Sequence, residues 1–289
     1  MPQPAIETFF DPETYSFTHL LLDPDSDACA VIDSVLNYDP ASGRTATHSA
    51  DRLLERINQL GRRLEWILET HVHADHLTAA PYLKSQAGGK IGIGRRVCEV
   101  QQVFSRLFNC EQAVHCDGQQ FDHLFAEGET FQVGQLSVSV MYTPGHTPAC
   151  VSYRVGDQAV FVGDTLFMPD FGTARCDFPG GSAQTLFQSI QRLYALPESM
   201  AIYLCHDYLT ETRSEYQYLT SVAEQKKHNI HVQARTTEAE FIALRRARDA
   251  TLEMPRLLLP AVQVNMRGGH FPAPETNGVS YLKMPLNQF

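Results

Sequence analysis

One short stretch, His71-Val72-His73-Ala74-Asp75-His76, constrains this chain more than any other. It follows an apolar run, Trp66-Ile67-Leu68, that reads as a buried strand ending at Glu69-Thr70, and it precedes Leu77 to Gln86, which reads as a helix. The cluster therefore lies on a strand-to-helix loop. Imidazoles and a carboxylate at near-alternate positions, on a loop that lets them converge, are what a zinc or iron site needs. The ordinary alternative is a polar turn rich in histidine. Four metal-competent side chains within six residues argue against it.

The flanking segments predict a large α/β domain. Phe17 to Leu22 and Ala28 to Ile32 read as a hairpin broken by Asp23-Pro24-Asp25-Ser26-Asp27. Leu36 to Thr47, with Pro40 and Gly43, reads as a loop. Ala50, Leu53, Leu54, Ile57 and Leu60 fall on one helical face that would cover the sheet. A strand at Lys90 to Gly94 and a helix from Cys98 to Phe108 follow, whereas His115 and His123 read as surface residues. In the second half, Thr130 to Val133 with Leu136 to Tyr142, and Val151 to Val155 with Ala159 to Val162, read as hairpins. A helical stripe (Leu186, Phe187, Ile190, Leu193, Tyr194) precedes a strand from Ala201 to Leu204. Two halves of strands plus helices point to a four-layer αββα sandwich, treated as a single domain over residues 1–289 with an extension from about 210. In that extension Thr237 and Glu240 form a capping-box pattern for a charged helix, Glu238 to Leu252. Pro255, Pro260, Pro272, Pro274 and Pro285 then predict an extended tail, wrapped over the domain or reaching a second subunit in a homodimer.

Charge and cysteine usage limit the partners. A net charge of −10 argues against nucleic acid or an anionic membrane surface, and leaves local Arg or Lys to attract any anionic substrate. No secretion signal and no apolar run of about 20 residues is evident, and seven cysteines without a C-x-x-C do not read as a disulfide framework. Cys29 and Cys205 read as buried small apolar residues, and a reducing cytoplasm is the expected location.

Further candidates stand at the ends of other apolar strands: His146 in Thr143-Pro144-Gly145-His146-Thr147-Pro148, Asp164 in Gly163-Asp164-Thr165, and His206 in Cys205-His206-Asp207-Tyr208. Singly each has an ordinary role, as a turn residue, a cap or a hydrogen-bonded core histidine. In this order, with H-x-H-x-D-H, they form a specific pattern, because loops at one edge of a sandwich can share one ion.

With these motifs the chain resembles the metallo-β-lactamase-fold superfamily over roughly residues 15 to 210. Within it, the chain looks most like bacterial persulfide dioxygenases, relatives of glyoxalase II. Thr70-His71-Val72-His73-Ala74-Asp75-His76-Leu77-Thr78, Gly163-Asp164-Thr165-Leu166-Phe167, Gly172-Thr173-Ala174-Arg175-Cys176-Asp177-Phe178 and Ala247 to Pro255 carry the likeness. It implies one Fe(II) per chain held by His71, His146 and Asp164, a facial triad with positions left for O2 and a substrate thiolate. His73, Asp75, His76 and His206 would then orient ligands or hold waters. The implied reaction oxidises glutathione persulfide with O2 to sulfite and glutathione. Arg175 is the main candidate near the substrate, either meeting it or bracing the loop through Asp177. Tyr208 is a further catalytic or substrate-binding candidate and Arg213 a further glutathione contact. Nothing visible in the sequence activates Cys176.

The competing reading is a glyoxalase II-like thioester hydrolase with two zinc ions per chain, for which the ligand set is also complete. A lactonase or β-lactamase, and a non-enzymatic sulfur-sensing module on the same fold, are further alternatives. The intact constellation argues against the module.

Overall fold

The computed structural model describes residues 3–288 of the chain. Its order of elements follows two sheets. The first contains β1 (Ala5–Asp11), β2 (Ser16–Leu22), β3 (Ala28–Ile32), β6 (Arg63–Leu68), β7 (Lys90–Gly94) and β8 (His123–Phe125), in that spatial order. The second runs β14 (Leu219–Ser221), β13 (Ala201–Tyr203), β12 (Ala159–Phe161), β11 (Val151–Val155), β10 (Leu136–Tyr142), β9 (Thr130–Val133). A small separate hairpin, β4 (Asn37–Asp39) with β5 (Arg44–Ala46), occupies the stretch expected to be only loop. Its short, largely exposed strands carry too little apolar patterning to announce it.

The layers follow from period-two alternation in the strands. Leu20, Leu22, Cys29 and Val31 point to one face of the first sheet. There they pack with Ala50, Leu53 and Ile57 of helix α1 (His48–Gln59) and with apolar residues of α2 (Ala80–Ala87) and α3 (Val97–Leu107). Leu21, Ala28, Ala30 and Ile32 point the other way and meet Val138, Val140, Tyr153 and Phe161 of the second sheet. Val160 and Ile202, on the far face of that sheet, pack against Leu186, Ile190 and Leu193 of α4 (Ala183–Tyr194) and Phe241 of α6 (Glu238–Asp249). Both central faces are covered, so these strands read as continuous apolar runs. The outcome is the expected αββα sandwich. A further helix, α5 (Val222–His228), is capped by Ser221, and α6 opens with the expected Thr237–Glu240 capping box.

The C-terminal part differs from its sequence reading in one respect. The segment expected to be extended contains α7 (Leu258–Asn265), whose Leu258, Ala261, Val262 and Val264 lie in the same core as α1 and α2. Pro260 sits in the first turn of this helix, where a missing backbone N–H costs nothing, so the proline did not exclude it. The stretches before and after it, residues 250–257 and 266–288, run without regular structure. No helix among the described residues is long and apolar enough to cross a membrane.

Strand direction places the candidate residues. β3 and β6 are parallel, so Asp33 and Glu69 leave the first sheet at the same edge. β12 is parallel to β13, and β10 and β12 are both antiparallel to β11 between them, so Thr143, Val162 and Leu204 begin loops at one edge too.

Candidate metal centre

The loop after β6 enters between two glycine-dependent approaches. Gly163 has φ +51°, and a Cβ there would lie 2.5 Å from Thr70 Oγ1. Gly145 has φ +144°, and a Cβ would lie 2.3 Å from the Leu186 Cα. Only glycine lets the loop of Asp164 come this close to the end of β6, and the loop of His146 this close to α4.

All seven sequence-derived metal candidates meet in one place. Ligand atoms of His71, His146 and Asp164 lie within 4.8 Å of one another, and so do those of His73, Asp75, His76 and His206. Asp164 joins the two groups: its Oδ2 is 3.7 Å from His146 Nε2 and 3.9 Å from His71 Nε2, while its Oδ1 is 3.3 Å from His206 Nε2. Asp75 Oδ2 lies 3.2 Å from the same His206 nitrogen.

Each imidazole is held from behind. His146 Nδ1 donates to the Arg175 carbonyl at 2.8 Å and His206 Nδ1 to the Tyr15 carbonyl at 3.2 Å, which leaves each Nε2 as a lone pair. His73 is reversed: its Nε2 donates to Asp33 Oδ1 at 3.0 Å and its Nδ1 faces inward. His71 Nδ1 meets Thr70 Oγ1 at 3.0 Å, and His76 Nδ1 meets Ser16 Oγ at 3.3 Å. Facing inward, six buried atoms have no hydrogen-bond partner among the described residues: His71 Nε2, His73 Nδ1, His76 Nε2, His206 Nε2, Asp75 Oδ2 and Asp164 Oδ1. Six unpaired polar atoms in one dry place are costly unless something binds them. Imidazole nitrogens and carboxylate oxygens in this number fit divalent zinc or iron.

The electrostatics suit the same occupant. Burial, followed by the neighbouring imidazoles, pushes His71 and His73 well below their ordinary range, so both stay neutral and able to ligate. Burial alone would raise Asp75, but His206 and His76 beside it hold its carboxyl well below the usual range. Burial, reinforced by Asp33 and Asp164, pushes the Cys205 thiol beside the cluster well above its ordinary range.

Over Asp75, His146 and Asp164 opens a cavity of about 380 Å³. Phe167, Phe171, Phe178 and Tyr208 wall it, and Arg248 and Arg256 stand in its lining. Tyr208 lies flat on the His206 ring, with centroids 5.6 Å apart. Arg175 reaches the cavity wall, but its guanidinium is engaged: Nε and Nη2 clasp Asp177 at 2.6 Å each, and Nη1 donates to the Glu253 carbonyl. Of its two expected roles the structure displays the brace. Arg213 is not brought to the cavity, because its guanidinium is spent on Asp207 and Asp170 at the back of the loop. Cys176 is buried and its thiol is pushed up, chiefly by that burial.

Sequence reasoning did not single out Asp33, Arg248, Arg256 or Asn265. Asp33 closes an apolar strand just as Asp164 does, and that parallel was a usable signal. Its φ of +54° turns the carboxylate back to accept from Thr70 N, Thr70 Oγ1 and His73. The two arginines lie on or after a charged helix whose exposed and cavity-facing sides look alike in sequence.

Comparison with known proteins agrees with this geometry. The family description "Metallo-beta-lactamase superfamily" matches residues 14–206. A probable metallo-hydrolase of Burkholderia pseudomallei is 55% identical, over 98% of this chain and 99% of its own length. Glyoxylase B2 of Dictyostelium discoideum is 49% identical, over 98% of this chain and 97% of its own. The mitochondrial persulfide dioxygenase ETHE1 of Mus musculus is 30% identical, over 91% and 88%. The crystal structure of ETHE1 from Myxococcus xanthus superposes with a TM-score of 0.73 at 30% identity, covering 92% of this chain and all of that one (100%).

Proposed function

This chain belongs to the metallo-beta-lactamase superfamily, and from that premise we propose that it is a two-metal hydrolase of the glyoxalase II kind, cleaving thioesters of a carboxylate-bearing thiol such as glutathione. The observation that carries the reading is the set of six inward, unpartnered donor atoms, supplemented by His146 Nε2, which provides for two ions sharing Asp164. Relatives sharing about half of the residues bear the names metallo-hydrolase and glyoxylase, which supports it.

Divalent ions bound there would acidify water and polarise a carbonyl at neutral pH. The protein's own groups do the rest. Asp33, the Arg175 carbonyl and the Tyr15 carbonyl fix the tautomers of His73, His146 and His206. The phenyl walls replace water on one side of the site and so strengthen the charges beside them. Arg248 and Arg256 are in no salt bridge among the described residues and offer exposed guanidinium groups to a carboxylated thiol. In the reaction, water adds to the thioester carbonyl carbon, the C–S bond breaks, and sulfur leaves with the electron pair. The products are a carboxylate, a thiol and one proton.

A second reading, the persulfide dioxygenase, draws on two observations: His71, His146 and Asp164 form a group of two imidazoles and one carboxylate, and the ETHE1 crystal structure superposes over 92% of this chain. There, persulfide, O2 and water would give thiol, sulfite and protons at a single iron. Metal analysis with two assays separates the readings. The hydrolase carries about two ions per chain and releases thiol from S-lactoylglutathione without O2 uptake. One iron per chain, with O2 consumed only when glutathione persulfide is added, would overturn it.

A further inference from the structure

We infer that Asn265, at the end of α7, is a positioning residue that sets the spacing of the donor loop from the opposite end of the chain. Its side-chain amide makes three bonds to that loop. Nδ2 donates to the His73 carbonyl at 2.9 Å and to the His76 carbonyl at 2.7 Å, and Oδ1 accepts from Thr78 N at 2.9 Å. The side chain lies in a residue only 4% exposed, so no water replaces these partners.

The residues it grips are chosen by geometry. The donor loop is neither helix nor strand, so its backbone groups have no regular partners. On one side it is held by Leu36 N on the Leu77 carbonyl and by the Ser34 carbonyl accepting from Ala79 N. These bonds fix only the loop's exit. The two carbonyls held by Asn265 bracket Ala74 and Asp75, and they belong to His73 and His76, whose inward nitrogens are candidate donors. A ligand must stay within about half an ångström of its working position. A planar amide with two N–H groups and one C=O is the smallest side chain that can fix three backbone groups at once. Helix α7 is in turn rooted in the core by Leu258, Ala261 and Val262, and by Gln101 Nε2 donating to the Met266 carbonyl at 2.9 Å. The site thus borrows rigidity from a helix that contributes none of its donors.

This inference rests on the metal-centre reading but not on which reaction the centre performs. It is tested by zinc affinity, measured by competition with a chromophoric chelator on metal-free protein. Asn265→Asp keeps the acceptor for Thr78 N and loses both donors; Asn265→Ala loses all three bonds. Gln101→Ala serves as the control, because it removes one polar tie of α7 while the apolar anchors Leu258, Ala261 and Val262 and all three Asn265 bonds stay. Folding of each variant is matched by circular dichroism. Asn265→Asp should weaken zinc binding roughly 10–100-fold, as changes to groups that orient ligands do, while Gln101→Ala stays within about threefold of wild type. Should Asn265→Ala fail to fold, the aspartate variant alone decides. Wild-type affinity in the aspartate variant, or equal weakening in Gln101→Ala, would overturn the inference while leaving the metal centre standing. A wild-type protein that takes up no zinc or iron would sink both.

Discussion

Two buried polar clusters meet the same loop and end differently. Around Arg245, every charge is closed on another group: Nε and Nη2 reach Asp249 Oδ1 at 2.9 and 2.7 Å, Nη1 donates to the Thr173 carbonyl, and Asp249 Oδ2 accepts from Cys176 N. Around Asp164, the outer half is closed in the same way, by Asp33, Thr70 and the carbonyls of Arg175 and Tyr15, but the inner half is left open. Loop 172–177 serves both, since Arg175 holds His146 while Thr173 and Cys176 receive Arg245 and Asp249. The difference teaches that burial of polar atoms alone does not mark a working site. A network that closes on itself holds the fold together; one that closes on a single side is built to hold something else.

The sharpest way to break this contrast is to remove one charge from each cluster. Asp164→Asn should lower activity by more than about a hundredfold, beyond the range of merely orienting groups, and should deplete bound metal. Its metal-free form should be no less stable than metal-free wild type, because a buried carboxylate beside Asp75 is relieved. Arg245→Met should do the opposite, retaining metal while losing about 3–5 kcal/mol of stability by urea titration, because Asp249 is left buried without its partner. Metal loss in Arg245→Met matching that in Asp164→Asn would erase the distinction.

A second test uses pH on the closed cluster. His231 belongs to it, its Nδ1 accepting from Thr173 N at 3.0 Å, and burial, followed by the charges of Arg245 and Arg248, pushes its imidazole down to about 4. As pH falls from about 6.5, the unfolded chain takes up this proton before the folded one does, so stability is full above that pH and declines across the window down to about 4. The expected loss is roughly 3 kcal/mol over the full window. Denaturation midpoints for His231→Gln should show a correspondingly shallower fall between pH 7 and 4.5. An unchanged slope would mean that another group carries the dependence.

The smallest effect lies at the cavity rim. Arg248→Ala and Arg256→Ala should each raise KM for a carboxylated thioester several-fold, up to about tenfold, with kcat unchanged. The difference should shrink at high salt, as expected of exposed charges. A fall in kcat instead would place these arginines in contact with the reacting group.

The legible part of the molecule was the part where one residue type can do only one thing. Continuous apolar strands, helical stripes such as Ala50-Leu53-Ile57, and a dense run of imidazoles announce layers and donors directly. β1 stayed hidden because its side chains are mostly half-buried and show no alternation. Helix α7 stayed hidden because Pro260 is an interior breaker in general and harmless in a first turn. Asn265 carries no sequence signal of its own; its importance lies in partners some 190 residues away. The engagement of Arg213 was hidden for the related reason that its carboxylate partners, Asp170 and Asp207, do not show in sequence which cation they will hold.

The anchoring of the donor loop by α7 also has a consequence in time. Thr78 and Asn265 are 187 residues apart, so at roughly 5–20 residues per second the anchor leaves the ribosome some ten to forty seconds after the loop it holds. Throughout that interval the histidines of the loop are synthesised but unspaced. A nascent chain therefore meets the cell's free cations with its donors present and its geometry missing, and the well-ordered site comes into being only once α7 has been made.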